Sequence, residues 1–316
     1  MGPVLGPIVG GYVTETVGWR WTIWVVMIFA GVVFVLQCLA PETYGPILLY
    51  RKAIRLEKEG LNVLPPKTRP FSEILATALK RPPRMLFTEL FVFFISLYAA
   101  FLFGLLFFFF LAFPLVFTPI YGFSLGSRGL AFIGIGLGTV TGNVSFVFLF
   151  RWFLKKPRFS NLMNAFLGPA MIGAVILPIS LFWFGWTSRK AVHWIVPIIA
   201  GFPFGFSMML LFCGTSVYLS TTYRQYAASA FAVNSWMRYS FAAAFPLFAT
   251  QSTFPFLFWK KTNGLVINKI GIGFSMTIMG CIAVLLVPIP FLFFRYGDWI
   301  RARSPYLNPQ LGKSVV

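Results

Sequence analysis

The chain contains few of the side chains that enzymes and metal sites use. Its 316 residues include 7 acidic residues, 1 histidine and 3 cysteines. The cysteines, Cys38, Cys213 and Cys281, all lie in apolar runs, so buried thiols are expected and neither a disulfide framework nor a metal cluster can be assigned. His193 falls at the outer edge of an apolar run, where an interfacial role is expected rather than a proton relay. Because the apolar runs lack convergent acids, histidines or metal ligands, we expect no enzymatic activity, no cofactor and no metal.

Charged residues make up only 10% of the chain, whereas hydrophobic residues make up 58% and the mean hydropathy is +0.82. Such values lie outside the range of soluble domains. Apolar runs of about 20 residues, each long enough for a helix to cross a bilayer, occur at 22–40, 85–118, 130–150, 162–185, 194–220, 226–250 and 272–294. A closed barrel would need short alternating strands instead. The sequence therefore predicts an all-α, multi-pass integral membrane protein with the lipid bilayer as its partner.

The first apolar run, Val4 to Val13, is too short to cross the bilayer alone. Its ten residues rise about 1.5 Å each, which covers roughly half of a hydrocarbon core about 30 Å thick. A glycine-proline pattern, G-x-x-x-G-P-x-x-G-G, runs through it and comprises Gly2, Gly6, Pro7, Gly10 and Gly11. Such spacing lets a neighbouring helix approach closely, and ordinary helix packing is the alternative to a functional role. Since no span precedes it, we expect the chain to be a fragment of a longer protein.

The net charge of +19 comes from Lys and Arg residues that are unevenly distributed among the segments between spans. Alternate segments carry 18 of them on one side of the membrane and 7 on the other, and Arg238 is left within a span. The positive-inside rule then places residues 41–84 and the tail, 296–316, in the cytoplasm. This distribution accounts for the charge without nucleic acid, which we do not expect as a partner.

Residues 41–84 form a long connector between two spans. Pro41 ends one membrane helix, and Gly45-Pro46 begins another helix at a position that favours proline. In that helix, apolar residues recur at helical spacing beside a basic flank; they are Ile47, Tyr50, Ile54 and Leu61, with Arg51, Lys52, Arg55 and Lys58. The pattern predicts a basic amphipathic helix on the inner leaflet, and a solvated linker is the alternative for residues 56–80. A single long connector of this kind is typical of a two-part transporter.

Several strings, in their order and spacing, resemble one family of transporters. The opening glycine-proline pattern is similar to the antiporter motif on the fifth helix of fungal twelve-helix drug:proton antiporters of the major facilitator superfamily, which include multidrug and polyamine exporters. The string Pro41-Glu42-Thr43-Tyr44 resembles the entry to the central loop of that group. Tyr226-Ala227-Ala228-Ser229-Ala230 and Arg238 resemble its eleventh helix, and Pro288-Ile289-Pro290-Phe291 resembles the end of its twelfth. On these motifs the chain is identified as a member of this group.

The resemblance implies a major facilitator-type helical bundle in two unequal parts. Residues 1–40 resemble the end of the N-terminal half, 41–84 the central linker and 85–295 a complete C-terminal six-helix half, whereas nothing resembles the first four helices. It also implies secondary active efflux of drug-like or polyamine-type small molecules across the plasma membrane, coupled to protons and working by alternating access. A transport-inactive truncated membrane protein, or a half-unit that needs other helices, is the alternative.

The resemblance also provides candidate site residues. Of the helices that line the central cavity of the family, only the seventh and tenth are represented, and their polar or aromatic candidates are Ser96, Tyr98, Phe202, Ser207, Ser216 and Tyr218. Gating or structural roles fall to Gly6, Pro7, Gly10, Gly11, Glu42 and Arg238. Aromatic walls of such a cavity would suit flat or cationic molecules.

Two charged residues at or within the spans need partners, because charge inside a membrane is costly. Arg238, about halfway along its span, is expected to contact neighbouring carbonyl groups, with snorkelling towards an interface as the alternative. Glu89 is expected to form an ion pair with Arg84 or another neighbour. Because no acidic residue lies near mid-membrane, a proton-coupling carboxylate is expected on helices outside this sequence.

Overall fold

The computed structural model describes residues 2–43, 45–59, 70–159, 162–250 and 272–307, and the regular elements in these ranges are all helical. The α-helices are α1 (Gly2–Thr16), α2 (Trp19–Leu39), α3 (Gly45–Lys58), α4 (Phe71–Thr88), α5 (Leu90–Phe117), α6 (Leu125–Leu130), α7 (Ile133–Leu154), α8 (Leu162–Thr187), α9 (Ile195–Thr222), α10 (Ala227–Thr250), α11 (Ile272–Leu286) and α12 (Pro288–Ala302). The prediction of an all-α protein is confirmed. Leu61 of the predicted amphipathic helix and the end of the tail, 308–316, lie outside the described residues.

Among the described residues, six helical stretches are long and apolar enough to cross a membrane. They are Trp19–Leu39, Leu90–Phe117, Leu125–Leu154, Leu162–Thr187, Ile195–Thr222 and Ile272–Ala302. These stretches correspond to six of the seven full spans that the sequence predicts. The seventh is α10, a helix of 24 residues in which polar side chains such as Asn234 and Arg238 lower the hydropathy.

The last of these stretches is longer than predicted, because α11 and α12 follow each other almost without a break. Pro288 has no N–H to donate, yet the N–H of Val287 still donates to the carbonyl of Ala283 at 3.1 Å, so the chain keeps its helical direction. The stretch extends to Ala302. The first residues of the predicted tail, 296–316, therefore belong to a helix.

α4 begins within the segment, 56–80, for which a solvated linker was the alternative. Proline is compatible with the start of a helix, and α4 begins directly after Pro70. It ends at Thr88, where the extended backbone of Glu89, with φ −109° and ψ 102°, separates it from α5. The span that the sequence predicts at 85–118 thus begins at Leu90 rather than at residue 85.

The first two helices differ in their packing. α1 lies against α6, and α2 contacts α1. No residue of α2 is buried, although the helix is apolar on every side, and the ring of Phe29 is 68% exposed. An apolar helix with exposed side chains on all faces is typical of a span that contacts lipid or other helices.

Phenylalanine rings build the core where α5, α8 and α9 meet. The ring centre of Phe109 lies 4.4 Å from that of Phe204 and 5.0 Å from that of Phe184. Phe113 lies 4.5 Å from Phe132 and stacks on Phe184 at 5.3 Å. Aromatic pairs in such geometries contribute about 0.5–1.5 kcal/mol each beyond the burial of their apolar area. This cluster places α5 at the centre of the helical unit.

α7 and α9 approach each other along three glycines of α7, Gly134, Gly138 and Gly142, which we call the glycine seam. A side chain at any of these positions would collide with the backbone of α9; a Cβ on Gly142, for example, would lie 2.8 Å from the carbonyl oxygen of Phe206. The spacing of four residues keeps the glycines on one face of the helix. The seam therefore permits the close backbone approach that small residues give to membrane helices.

Candidate functional site

The glycine-proline pattern of α1 lies against the short helix α6. A Cβ on Gly11 would lie 2.8 Å from the carbonyl oxygen of Leu125, and a Cβ on Gly129 would lie 2.5 Å from that of Pro7. Glycine is therefore needed on both helices, because a side chain at either position would push the two backbones apart. We call this crossing the α1–α6 contact.

A cleft of about 610 Å³ lies beside the α1–α6 contact, between α1, α5 and α6. Gly6 and Gly10 border it, and no described atom lies within 4 Å of a Cβ built on either glycine. The ring of Phe110 and the charged side chain of Arg128 line the cleft from α5 and α6. Among the glycines predicted to act in gating, Gly6 and Gly10 thus face open space, whereas Gly11 packs against α6.

Glu15 adds a charged link to the α1–α6 contact. Its carboxylate accepts the backbone N–H of Gly126 at 2.6 Å and the hydroxyl of Ser124 at 3.2 Å. Ser124 also caps α6, since its hydroxyl oxygen accepts the N–H of Ser127 at 3.3 Å. Hydrogen bonds to a carboxylate are stronger than those between neutral groups, and negative charge is favourable at the start of a helix. The contact therefore combines close packing with an electrostatic attachment.

At the other end of α5, the buried carboxylate of Glu89 is held by hydroxyl groups. It accepts hydrogen bonds from Tyr223 at 2.6 Å and from Ser304 at 2.7 Å. Among the described residues, no ion pair joins Glu89 to Arg84, so that expectation is wrong. The reason is the backbone break between α4 and α5, which leaves Arg84 exposed on α4 while Glu89 is only 3% exposed.

What we call the Glu89 cluster comprises these two hydrogen bonds and two contacts of Arg301, with Tyr218 and Asp298. Burial and the neighbouring carboxylate raise the pKa of the Tyr223 phenol above its ordinary value of 10, so the phenol keeps its proton and continues to donate. Arg301 donates to the hydroxyl of Tyr218 at 2.7 Å and forms an ion pair with Asp298. The cluster joins the start of α5, the end of α9 and the end of α12.

Arg238 lies in the middle of α10, with its guanidinium between aromatic rings. The guanidinium carbon is 4.3 Å from the ring centre of Phe103 on α5, 5.4 Å from that of Phe212 on α9 and 5.1 Å from that of Tyr239. Its Nε is buried and has no hydrogen-bond partner among the described residues. Where contacts with backbone carbonyls were expected, the described contacts of the guanidinium are cation–π contacts.

Phe103 belongs to a row of rings on one face of α5, which we call the aromatic stripe: Phe103, Phe107 and Phe110. All three rings are partly exposed, whereas the intervening Phe108 and Phe109 are buried. Spacing of three to four residues places the stripe on one side of the helix. The stripe runs from Arg238 to Phe110 at the cleft beside α1.

The predicted cavity residues lie in two different environments. Ser96, Tyr98, Ser207 and Tyr218 are buried within the helical unit, where Ser207 donates to the carbonyl of Phe204 at 2.9 Å. The hydroxyl groups of Ser96 and Tyr98 have no hydrogen-bond partner in the described part of the chain. By contrast, Phe202 is 38% exposed and Ser216 is half-buried. Substrate binding by these residues stays a prediction.

The sequence profile of the Major Facilitator Superfamily matches residues 1–246, which is most of the chain. The chain belongs to the Major Facilitator Superfamily. It is 36% identical over 318 residues to the citrinin biosynthesis cluster MFS transporter mrr1 of Monascus ruber and 36% identical over 316 residues to the efflux pump FUB11 of Gibberella moniliformis. It is also 33% identical over 342 residues to polyamine transporter 4 of Saccharomyces cerevisiae. The family resemblance that the motifs indicate is thereby confirmed.

These three alignments include 97% of this chain but only 60%, 51% and 49% of the respective relatives. The chain thus spans about half to three fifths of the length of the curated relatives it matches. As a member of a transporter superfamily the chain is not an enzyme.

Three features of this superfamily member were not predicted as site residues. Glu15 is the one acidic residue among the first 40, a sequence signal that was available. Tyr223 and Ser304 carry no comparable signal, because each meets Glu89 only through folding.

Glu42, for which a gating role is predicted, lies in the exposed segment after α2. Its gating role stays a prediction.

Proposed function

We propose that this chain works as an efflux transporter that moves small organic molecules across a membrane by alternating access. The α1–α6 contact carries the proposal. At Gly11 and Gly129 the backbones of the two helices meet directly, and Pro7 removes one backbone hydrogen bond of α1, so the helices can tilt against each other as rigid bodies. The cleft beside the contact leaves space for such a movement. The names of the relatives, an efflux pump and MFS transporters, support the same activity.

We infer that the Glu89 cluster and the C-terminus face the cytoplasm, that the α1–α6 contact faces outward, and that the membrane is the plasma membrane. The excess of Lys and Arg in residues 41–84 supports this orientation through the positive-inside rule. In this orientation the Glu89 cluster fastens α5, α9 and α12 at their inner ends. The amphipathic helix α3, with Arg51, Lys52 and Arg55, then lies beside anionic lipid headgroups.

We also propose that protons drive export, as the resemblance to drug:proton antiporters implies. Neither α5 nor α7–α11 contains an acidic residue, so Glu15 and Glu89 are the carboxylates nearest to the two ends of the bundle. Export by the full chain in vesicles should therefore follow an imposed proton gradient and stop when a protonophore dissipates it. Export that persists after dissipation would contradict proton coupling.

The transport proposal is tested in cells whose own efflux pumps have been deleted. The full chain is expressed, and the accumulation of three fluorescent dyes, one anionic, one neutral and one cationic, is compared with that in cells carrying an empty vector. We expect lower accumulation of at least one dye. Gly129→Leu should abolish the difference, because the new side chain would meet the backbone of α1.

Gly31→Leu is the matched control, since no described atom lies within 4 Å of a Cβ at Gly31. This variant should export like the natural chain. Equal accumulation of all three dyes with and without the chain would contradict the proposal. Normal export by Gly129→Leu would contradict the role of the α1–α6 contact.

A further inference from the structure

Arg238 lies at mid-helix in α10, and the chain offers no carboxylate at the same depth. The acidic residues are Glu15, Glu42, Glu57, Glu59, Glu73, Glu89 and Asp298, and all lie outside α5 and α7–α11. Of those nearest to the bundle core, Glu89 already accepts two hydrogen bonds and Asp298 pairs with Arg301. Because a guanidinium within a span is costly without a counter-charge, a negative group from outside these helices would stabilise it.

The surroundings of Arg238 are suited to receive such a group. The side chain is half-buried rather than enclosed, so a ligand can reach it. Its Nε is buried and has no hydrogen-bond partner among the described residues, so this donor of the guanidinium is unsatisfied. Phe103, at 4.3 Å from the guanidinium carbon, begins the aromatic stripe on the same face of α5, where a flat molecule can stack.

We propose that Arg238 binds the negatively charged group of the transported molecule, so that the substrate class is an aromatic organic anion such as an aromatic carboxylate. The proposal rests on the proposed transport function and adds the chemical class of its substrate. Arginine is the side chain best suited to this role, because its planar guanidinium can donate two parallel hydrogen bonds to one carboxylate. The aromatic stripe then holds the apolar part of the molecule.

The same geometry disfavours polyamines and other organic cations at this position. The guanidinium of Arg238 already occupies the cation-binding faces of Phe103 and Phe212, at 4.3 and 5.4 Å from their ring centres. A second cation placed there would be repelled by the like charge in a medium of low dielectric constant. At this position the proposal keeps the expectation of flat molecules and replaces cationic ones by anions.

The test compares two probes that share a ring system and differ in charge, 1-pyrenebutyrate and 1-pyrenebutylamine. The full chain is purified and placed in nanodiscs of phosphatidylcholine, and equilibrium binding of each probe is measured by fluorescence. We expect pyrenebutyrate to bind about tenfold or more tightly than the amine, since hydrogen bonds to charged groups are strong. Equal or tighter binding of the amine would overturn the proposal, and this comparison needs no variant.

Variants test whether Arg238 provides the positive charge that binds pyrenebutyrate. Arg238→Gln should weaken pyrenebutyrate binding by about tenfold or more, and Arg238→Lys, which keeps the charge, should restore part of it. Arg303→Gln is the matched control. The guanidinium carbon of Arg303 also lies against an aromatic ring, 3.9 Å from the ring centre of Trp299, but Arg303 follows the end of α12 instead of lying at mid-helix. Unchanged binding in Arg238→Gln, or an equal loss in Arg303→Gln, would overturn the assignment.

A lipid headgroup is a second source of negative charge, and phosphatidylglycerol added to the nanodiscs distinguishes it. If the transported molecule is the natural anion, this lipid leaves pyrenebutyrate binding unchanged. Displacement of the probe by phosphatidylglycerol would contradict the assignment to a substrate. Because these are binding measurements, a chain that binds pyrenebutyrate but exports no dye would contradict only the transport proposal.

Discussion

Glu89 and Arg238 are both charged side chains within the helical unit, and they have different partners. The carboxylate of Glu89 is 3% exposed and accepts hydrogen bonds from two hydroxyl groups of this chain. The guanidinium of Arg238 is half-buried and lies against aromatic rings, without a partner for its Nε in the described part of the chain. A buried charge with its own donors is typical of a structural element, whereas a charge within a span that lacks a counter-ion is a reason to propose a functional site.

Removing the phenol hydroxyl of Tyr223 should destabilise the protein. Tyr223→Phe takes one donor from the buried carboxylate of Glu89, and we expect a loss of about 1.5–3 kcal/mol in the free energy of unfolding. Titration with a denaturing detergent at pH 8 measures this loss. Tyr296→Phe, at a ring that is 49% exposed, is the control and should change the stability little. A loss of equal size in both variants would contradict the role of the hydrogen bond.

The effect of Tyr223→Phe should depend on pH in one direction. Because the pKa of Tyr223 is raised in the folded protein, its contribution to stability is complete below pH 10 and decreases as the unfolded chain loses this proton above pH 10. At pH 11 the difference in unfolding free energy between the natural chain and Tyr223→Phe should be smaller by about 1.4 kcal/mol than at pH 8. A difference that grows between pH 8 and pH 11 would show that the sign is wrong.

At the scale of helices, the positions of glycine determine which pairs of helices approach each other most closely. The glycine seam brings α7 against the backbone of α9, and Gly11 and Gly129 do the same for α1 and α6. In lipid there is no hydrophobic force between apolar helices, so close van der Waals packing of backbones takes a larger share of their association. Helix order and distance in this unit therefore depend on positions where a side chain is missing.

Alanine at the glycine seam should destabilise the protein, although alanine is the better helix former. Gly138→Ala would push its methyl group into the carbonyl of Phe202, and overpacking of this kind costs about 1–3 kcal/mol. Gly31→Ala on α2 has no described atom within 4 Å and should instead stabilise the helix by about 0.5–1 kcal/mol. Detergent-induced unfolding measures both. Changes of the same sign in the two variants would contradict the packing argument.

At the scale of the whole molecule, two polar attachments lie at opposite ends of an apolar unit. Glu15 fastens α1 to α6 at one end, and the Glu89 cluster fastens α5, α9 and α12 at the other. Between them, the unit is packed through aliphatic side chains, aromatic rings and close approaches at glycines. Transport by alternating access would require one end to loosen while the other stays closed, and this arrangement provides a separate attachment for each end.

The inferred orientation in the membrane can be tested with single cysteines in a variant whose three native cysteines are replaced by alanine. Thr118→Cys, exposed after α5, should react with a membrane-impermeant maleimide in intact cells. Lys155→Cys, exposed after α7, should react only after the cells are permeabilised. The reverse pattern would contradict the orientation drawn from the positive-inside rule.

Hydropathy alone was enough to predict six of the membrane-crossing stretches, because a backbone in lipid must satisfy its own hydrogen bonds and does so as a helix. Local motifs were enough to indicate the superfamily. Hydropathy does not fix the helix boundaries beside proline: α4 begins directly after Pro70, and the helical hydrogen bonding continues at Val287, just before Pro288. These boundaries depend on backbone hydrogen bonds, those that the Pro70 carbonyl accepts and the one that Val287 donates, which composition does not reveal.

The partners of the charged residues emerge only from the folded arrangement. Glu15 meets Gly126 across 111 residues, and Glu89 meets Ser304 across 215, so neither contact leaves a trace in local spacing. The sequence pattern instead favoured Arg84, the cation nearest to Glu89 along the chain. Hydropathy and helix propensity act over a few neighbouring residues and can be predicted locally, whereas hydrogen bonds to a buried charge depend on which distant helices pack together.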